Sequence, residues 1–512
     1  MKKSYLFLLI PLIGFSNGLH AQLKEGYRGF VEVRALGTTN NIVPFWMRSN
    51  RNGSIPLSGL SLSGIVGLHK DYEQPILSDM TEGRTKFIDW GFGVEGRANG
   101  GKNSNLILVE SFLKAKASIF ELKVGRTRDV VGFNGDTTLS SGNFSISGNA
   151  LGIPGVELGI SEYYRIPIFD GLFSIKGGLK HGWVGKVKIL DSIGALAPST
   201  DIFYLNDTHP QTYLHQKSFY GRLGKKDWRF SLFGGFNHLV YWGNEKNAYG
   251  DNFKLSPFET FFYVATGKAY GAKGVPTSKI GNQLGSIDLA ASYEFPNHKL
   301  TIYRQNFYDV GALAKLANIR DGLNGISLTN KNAEGDPVTW ERLLLEFFYS
   351  KNQAGYPSSI PTKSGDEDYY NNFYYKDGWS YKGLGLGSPL ITQRKHARSG
   401  QALFRNDYFM NNRLWAINVG ISGKLNSWRY TSKITFSRNY GTFATSPYGN
   451  STGIIRDPQT TNLFQTVNQG SVYLEASKTF KNDYNIGFIY AGDLGRLLNN
   501  SQGLSLNLRR KF

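Results

Sequence analysis

Residues 366–381 carry the densest chemistry in the chain: Asp366, Glu367, Asp368, Tyr369, Tyr370, Asn371, Asn372, Phe373, Tyr374, Tyr375, Asp377, Trp379 and Tyr381. A sugar ring offers an apolar C–H face edged with hydroxyls. Aromatic rings beside carboxylates and amides satisfy both. Tyr374, Tyr375, Trp379 and Tyr381 are the candidate stacking faces. The same composition suits a loop that packs its rings on neighbouring loops or at a membrane interface. Arg126, Arg128 and Arg320 are candidate basic positions for a polar lumen, where they would contact a ligand or pair with Asp129 and Asp321. Pro44–Arg51 combines Phe45, Trp46, Arg48 and Arg51, and reads either as a plug or as an ordinary long loop.

Catalytic patterns are poor. None of the eight histidines stands in a HExxH or other metal spacing. Gly159-Ile160-Ser161 and Gly420-Ile421-Ser422 lack the second glycine of a nucleophile elbow. Gly383-Leu384-Gly385-Leu386-Gly387 has no phosphate-loop lysine. With no cysteine there is no disulfide, no thiolate metal site and no acylated Cys. The expectation is a non-enzyme without metal or cofactor. An outer-membrane hydrolase using a surface Ser and His is the rival.

The elements that must position these residues have a period of two. Trp228, Phe230, Leu232 and Gly234 share one parity, as do Leu289, Ala291, Tyr293 and Phe295. Tight-turn chemistry separates such runs at Phe169-Asp170-Gly171, Gly224-Lys225-Lys226-Asp227, Leu425-Asn426-Ser427 and Lys481-Asn482-Asp483. Long polar, aromatic stretches separate others, at 244–282, 349–412 and 441–469. Short turns alternating with long loops are the pattern of an outer-membrane barrel. The last strand, Gly503–Phe512, puts Leu504, Leu506, Leu508 and Phe512 on one face, as the barrel-assembly machinery requires. Arg510 interrupts that face and must snorkel at the bilayer edge.

Lys2, Lys3, the apolar run Tyr5–Phe15 and Ala21 read as an export leader over residues 1–21, with the barrel over 22–512. No later apolar run approaches the roughly 20 residues of a membrane helix. The count of 61 glycines and 14% aromatic residues suits a wall with lipid outside and water inside. The net charge of +19 reads as a plain solvated surface, or as a mouth that attracts an anionic polymer or lipopolysaccharide phosphates. Nucleic acid is excluded by export and by the lack of a binding motif. The expected fold is therefore all-β: a transmembrane antiparallel β-barrel of about 18 strands with long extracellular loops, in the outer membrane. One chain closes such a barrel, so a monomer is expected.

Several phrases carry a family resemblance. They are Pro44-Phe45-Trp46-Met47-Arg48-Ser49-Asn50-Arg51, Lys123-Val124-Gly125-Arg126-Thr127-Arg128-Asp129 and Arg320-Asp321-Gly322-Leu323-Asn324-Gly325-Ile326. The most specific is Gly378-Trp379-Ser380-Tyr381-Lys382-Gly383-Leu384-Gly385-Leu386-Gly387-Ser388-Pro389-Leu390. Together they resemble the Wzi capsule-assembly family in its Bacteroidota-type branch, over nearly the whole mature chain. Leu384 and Leu386 stand where that branch carries Arg and Ile, which removes a positive charge. The resemblance implies an eighteen-stranded outer-membrane lectin that binds exported capsular polysaccharide without covalent chemistry. A porin or uptake channel is the alternative. Enterobacterial members carry a periplasmic helical bundle with no clear counterpart here. Gly311–Ile319 reads as a short helix inside or above the barrel.

Overall fold

The computed structural model describes residues 26–73, 87–190, 192–194, 202–204, 207–309, 313, 316–333, 337–355, 367–401, 407–447 and 463–512. The expected leader and Asp366 lie outside the described residues.

Eighteen strands form one antiparallel sheet closed on itself. They are β1 (Tyr27–Thr38), β2 (Ser61–Lys70), β3 (Ile88–Gly101), β4 (Asn105–Ala117), β5 (Phe120–Arg126) and β6 (Gly155–Arg165). Then come β7 (Phe173–Lys186), β8 (Gln211–Leu223), β9 (Phe230–Trp242), β10 (Asn282–Glu294), β11 (His298–Asp309) and β12 (Gly322–Asn330). The last six are β13 (Val338–Tyr349), β14 (Leu414–Leu425), β15 (Trp428–Asn439), β16 (Val467–Thr479), β17 (Tyr484–Gly495) and β18 (Ser501–Lys511). Closure is the pairing of β1 with β18, from Phe30 opposite Lys511 to Thr38 opposite Gly503. Five strands precede residue 130. That is the number needed to bring the expected strands to eighteen.

The walls alternate as lipid and water demand. On β10, Ile287, Leu289 and Tyr293 are exposed, while Ser286, Asp288 and Ser292 are buried in the lumen. On β18, Leu504, Leu506 and Leu508 face out and Ser501 and Ser505 face in. Arg510 settles beside aromatic rings, 5.2 Å from Tyr484 and 5.4 Å from Phe512. Trp90, Phe120, Phe173, Trp228, Phe295 and Phe480 are exposed at the short-turn end, where rings favour the membrane–water boundary. Tight turns there use left-handed backbone at Asp170, Asn426 and Asn482.

Most long connections lie at the opposite end: 39–60, 127–154, 187–210, 243–281, 310–321, 350–413 and 440–466. Three of them fold back into the barrel. Residues 44–51 form part of the plug, with a one-turn helix α1 (Phe45–Arg48). In the 311–319 stretch Leu313 is in a 3-10 turn and residues 316–319 form turns, with Leu316 N bonded to Leu313 O at 2.9 Å; the other residues of the expected helix lie outside the described residues.

Leu289 is 56% exposed at mid-strand on the outer wall. Leu289→Arg is expected to destabilise the barrel in lipid vesicles by about 2–4 kcal/mol, read from reversible urea unfolding. A change below about 0.5 kcal/mol would contradict a lipid-facing position.

Candidate functional site

The lumen is crossed by the 127–154 connection, rich in small polar residues. Ser140 Oγ donates to Glu346 Oε1 at 2.7 Å, and Ser141 N to Glu346 Oε2 at 2.6 Å. Tyr303 OH (2.5 Å) and Asn418 Nδ2 (3.3 Å) donate to the same carboxylate. Phe133 N donates to Asp288 at 2.8 Å, Gln305 Nε2 to Asn143 at 2.8 Å, and Ser145 Oγ to Asn237 at 2.5 Å. The crossbar is thus tied to β9, β10, β11, β13 and β14. Buried carboxylates and amides that are fully hydrogen-bonded in this way specify one arrangement.

A second segment, 44–51, lies along the β15–β17 wall. Trp46 is fully buried, its Nε1 donating to Thr435 at 2.9 Å and its ring 3.7 Å from Lys433 Nζ. Phe45 N donates to Asp493 at 2.8 Å. Of the two readings of Pro44–Arg51, the plug is what forms.

The third segment, 350–413, holds the predicted stacking residues. Its rings turn inward rather than outward. Trp379 is fully buried; its ring lies 4.5 Å from that of Tyr241, and its Nε1 donates to Ser145 O at 2.8 Å. Tyr375 donates to Tyr241 O at 3.1 Å. Tyr381 is buried and accepts from Arg126 Nη2 at 3.4 Å. Phe144 of the crossbar stacks on Phe307 at 4.3 Å and touches Tyr369 and Tyr370, both at 5.1 Å. The candidate stacking faces Tyr375, Trp379 and Tyr381 are therefore covered by protein. Burying these large rings in the plug core removes their apolar surface from water, which stabilises the inward arrangement. The glycine-rich phrase serves the same packing: a Cβ at Gly387 would sit 2.0 Å from both Phe144 O and Tyr370 OH. Gly378 has a left-handed backbone, with φ of 56°.

Asp321 accepts from Asn352 N, Gln353 N and Tyr369 OH at 2.9, 2.6 and 2.8 Å. Burial pushes its carboxyl up to about 6, opposed by those hydrogen bonds. Asp321 does not pair with Arg320, which is exposed in the 310–321 connection and not in the lumen. Arg128 is in the lumen, bonded to Glu95 and 3.5 Å from Glu110, rather than to Asp129. Asp129 is held by Lys180 instead. Arg126 ends β5 on the outward parity and curls over the rim to Leu108 O at 2.7 Å. The three arginines do not converge.

What remains open at the rim is a smaller patch. Phe373 is 66% exposed and Tyr374 half-buried, their rings 6.4 Å apart. Lys376 N bonds Lys188 O at 3.0 Å, which sets the two lysines side by side. Tyr374 OH reaches Asn244 O at 3.3 Å. Burial raises the Asp377 carboxyl, opposed by Lys188 and His209. Under the crossbar, toward the short-turn end, lies a polar cavity of about 430 Å³. Glu121, Lys123, Arg128, Asp129, Glu157 and Lys176 line it with Phe133, Tyr163 and Tyr220. Sequence reasoning missed this cavity and the crossbar. Glu346 and Asp288 look like ordinary lumen positions in alternating strands, and only their partners distinguish them. Among the described residues no cluster of three His, Asp or Glu can hold a metal.

A closed eighteen-stranded barrel with an inward-folded plug belongs to the outer-membrane class of architectures. Among solved structures the chain is similar to Wzi of Escherichia coli, an outer membrane protein involved in group 1 capsule assembly and a carbohydrate binding β-barrel. The TM-score is 0.53 at 12% identity, over 99% of this chain and 89% of that one. OpdQ of Pseudomonas aeruginosa also aligns, at TM-score 0.42 and 10% identity over 96% and 99% of the two chains. So does OpdL of the same organism, at 0.42 and 9% over 95% and 98%. No protein-family model and no curated protein matches the sequence.

Glu346→Ala is expected to take the acceptor from Ser140 Oγ, Ser141 N and Tyr303 OH, each costing about 1–3 kcal/mol, while Asn418 Nδ2 keeps Leu139 O at 2.9 Å. Amide exchange over 136–145 should accelerate at least tenfold while the strands stay protected. Unchanged exchange would reject the anchoring role. Trp379→Ala should destabilise the plug by about 3–5 kcal/mol, measured as loss of protease resistance within 367–401; native resistance would contradict a packing role.

Proposed function

We propose that the chain is a non-enzymatic outer-membrane lectin: it binds an exported, anionic polysaccharide at its long-loop face and helps assemble or attach a capsule. The long-loop end is then extracellular, and the protein works as a monomer without metal or cofactor. One observation carries the reading. Three connections are hydrogen-bonded across the lumen, which suits a rigid binding platform better than a path for solutes. The fold likeness to a carbohydrate binding barrel supports it.

The rim patch supplies what such a polymer needs. Phe373 and Tyr374 offer ring faces for sugar C–H groups. Lys188 and Lys376 offer charge for carboxylate or phosphate substituents. Asn247 and Asp377 flank them with hydrogen-bonding groups. Tyr374 is the stacking face among the four expected candidates that the proposal retains. Tyr375, Trp379 and Tyr381 act behind it as its support, and Arg126 helps by holding Tyr381. The net charge of +19 attracts the polymer at long range, so binding weakens with salt.

Phe373→Ala with Tyr374→Ala should weaken binding of purified surface polysaccharide by about tenfold, or 1.4 kcal/mol, with native heat-modifiable migration. Lys188→Glu with Lys376→Glu should weaken binding further and lower its salt dependence, with the rest of the net positive charge keeping the remainder. Native affinity in both variants would reject this patch as the site.

A further inference from the structure

The connection 243–281 does not enter the lumen. It folds down the outside of the wall. It contains α2 (Glu245–Tyr249) and α3 (Pro257–Thr266), and a hairpin follows. Side chains alternate along a strand, so the lumen-facing Asn237 and Tyr241 put His238, Val240 and Trp242 outside. The same alternation puts His215 and Lys217 of β8 and His181 of β7 outside. Further down the wall, outward Leu179, Phe219, Phe236 and Ile287 are exposed, as lipid-facing residues should be. Higher up, outward His215, His238, Val240 and Trp242 are buried.

The cover is α3. Its Phe261 ring lies 5.3 Å from His215 and 5.9 Å from Trp242. Val264 is fully buried in a cluster with Val240, Trp242, Phe253 and Ile280, separate from the lumen core. Lys217 donates to Ala265 O near the helix C-terminus, and Lys217 is paired in register with the exposed Leu179. The helix therefore descends to within a lysine's reach of the lipid band.

Its outer surface is unusual for a loop helix. Phe258 and Phe262, four residues apart, are 79% and 53% exposed. Its one formally charged residue, Glu259, is taken up in a capping box with Ser256. Exposed Lys254 and Lys268 flank it at either end. An apolar stripe bracketed by cations fits a bilayer interface, where rings enter the acyl chains and lysines meet phosphate headgroups. The polar wall beneath would be costly against hydrocarbon, and α3 removes that contact.

We infer that α3 is a second membrane-contact element, with Phe258 and Phe262 immersed in the acyl chains of the long-loop-side leaflet and Lys254 and Lys268 at its phosphates. The absence of cysteine makes the test clean. Single nitroxides are placed by Phe258→Cys and Phe262→Cys in the full chain, reconstituted in phosphatidylcholine–phosphatidylglycerol vesicles. Leu289→Cys serves as the lipid reference and Asp251→Cys as the water reference. Immersion predicts high collision with oxygen and low collision with a water-soluble nickel chelate, as for Leu289. Chelate collision like that of Asp251 overturns the inference. So does a label shielded from both reagents, which signals a protein partner or a second copy. Thr266→Cys, exposed on the same stripe, repeats the measurement if a phenylalanine variant fails to fold.

Discussion

Hydrocarbon offers no partner to a backbone N–H or C=O, so every strand that crosses it must bond on both edges. The pairing of β1 with β18 meets that condition and leaves no strand edge open. Everything else in the architecture follows from it. A closed wall divides side chains into a lipid set and a lumen set at every second residue. The lumen set can then be polar and charged, as with Glu346, Asp288 and Lys433. Those polar groups, once buried, need partners, and the inward-folded connections supply them.

The interior is therefore a second folded layer inside the first. The crossbar is held by hydrogen bonds to the wall at one face and by aromatic packing at the other. Phe144 joins the two: it stacks on wall residue Phe307 and meets Tyr369 edge-on and Tyr370 at a tilt, both of the 350–413 segment. Rings that read as a binding surface become the core that makes the platform rigid. The exposed remainder, Phe373 and Tyr374 with Lys188 and Lys376, sits on that platform. Its geometry depends on Tyr375 directly behind it, bonded to the wall at Tyr241.

The wall was legible in the sequence because its physics is local. Leu504, Leu506 and Leu508 alternate with Ser505 and Asn507, and the turn residues Asp170, Asn426 and Asn482 stand where left-handed backbone is needed. The plug was far less legible. Ser140, Ser141 and Asn143 carry no periodic signal, and their wall partners lie 162 to 206 residues away. The stretch 366–381 was recognisable as chemically dense, but composition does not tell which side of a ring faces solvent. Arg128 was placed correctly in the lumen, yet its partners Glu95 and Glu110 come from β3 and β4 rather than from its neighbour Asp129. Arg320 shows the same limit, since its position in a connection rather than a strand decides its exposure.

On the proposed reading, the inward layer closes the lumen and makes the barrel a platform for binding. Ion current through the unmodified full chain in planar lipid bilayers tests it most directly. The expected trace is a baseline without steady openings across the usual voltage range. Steady, ohmic conductance from every inserted molecule would contradict it and return the barrel to the class of solute channels.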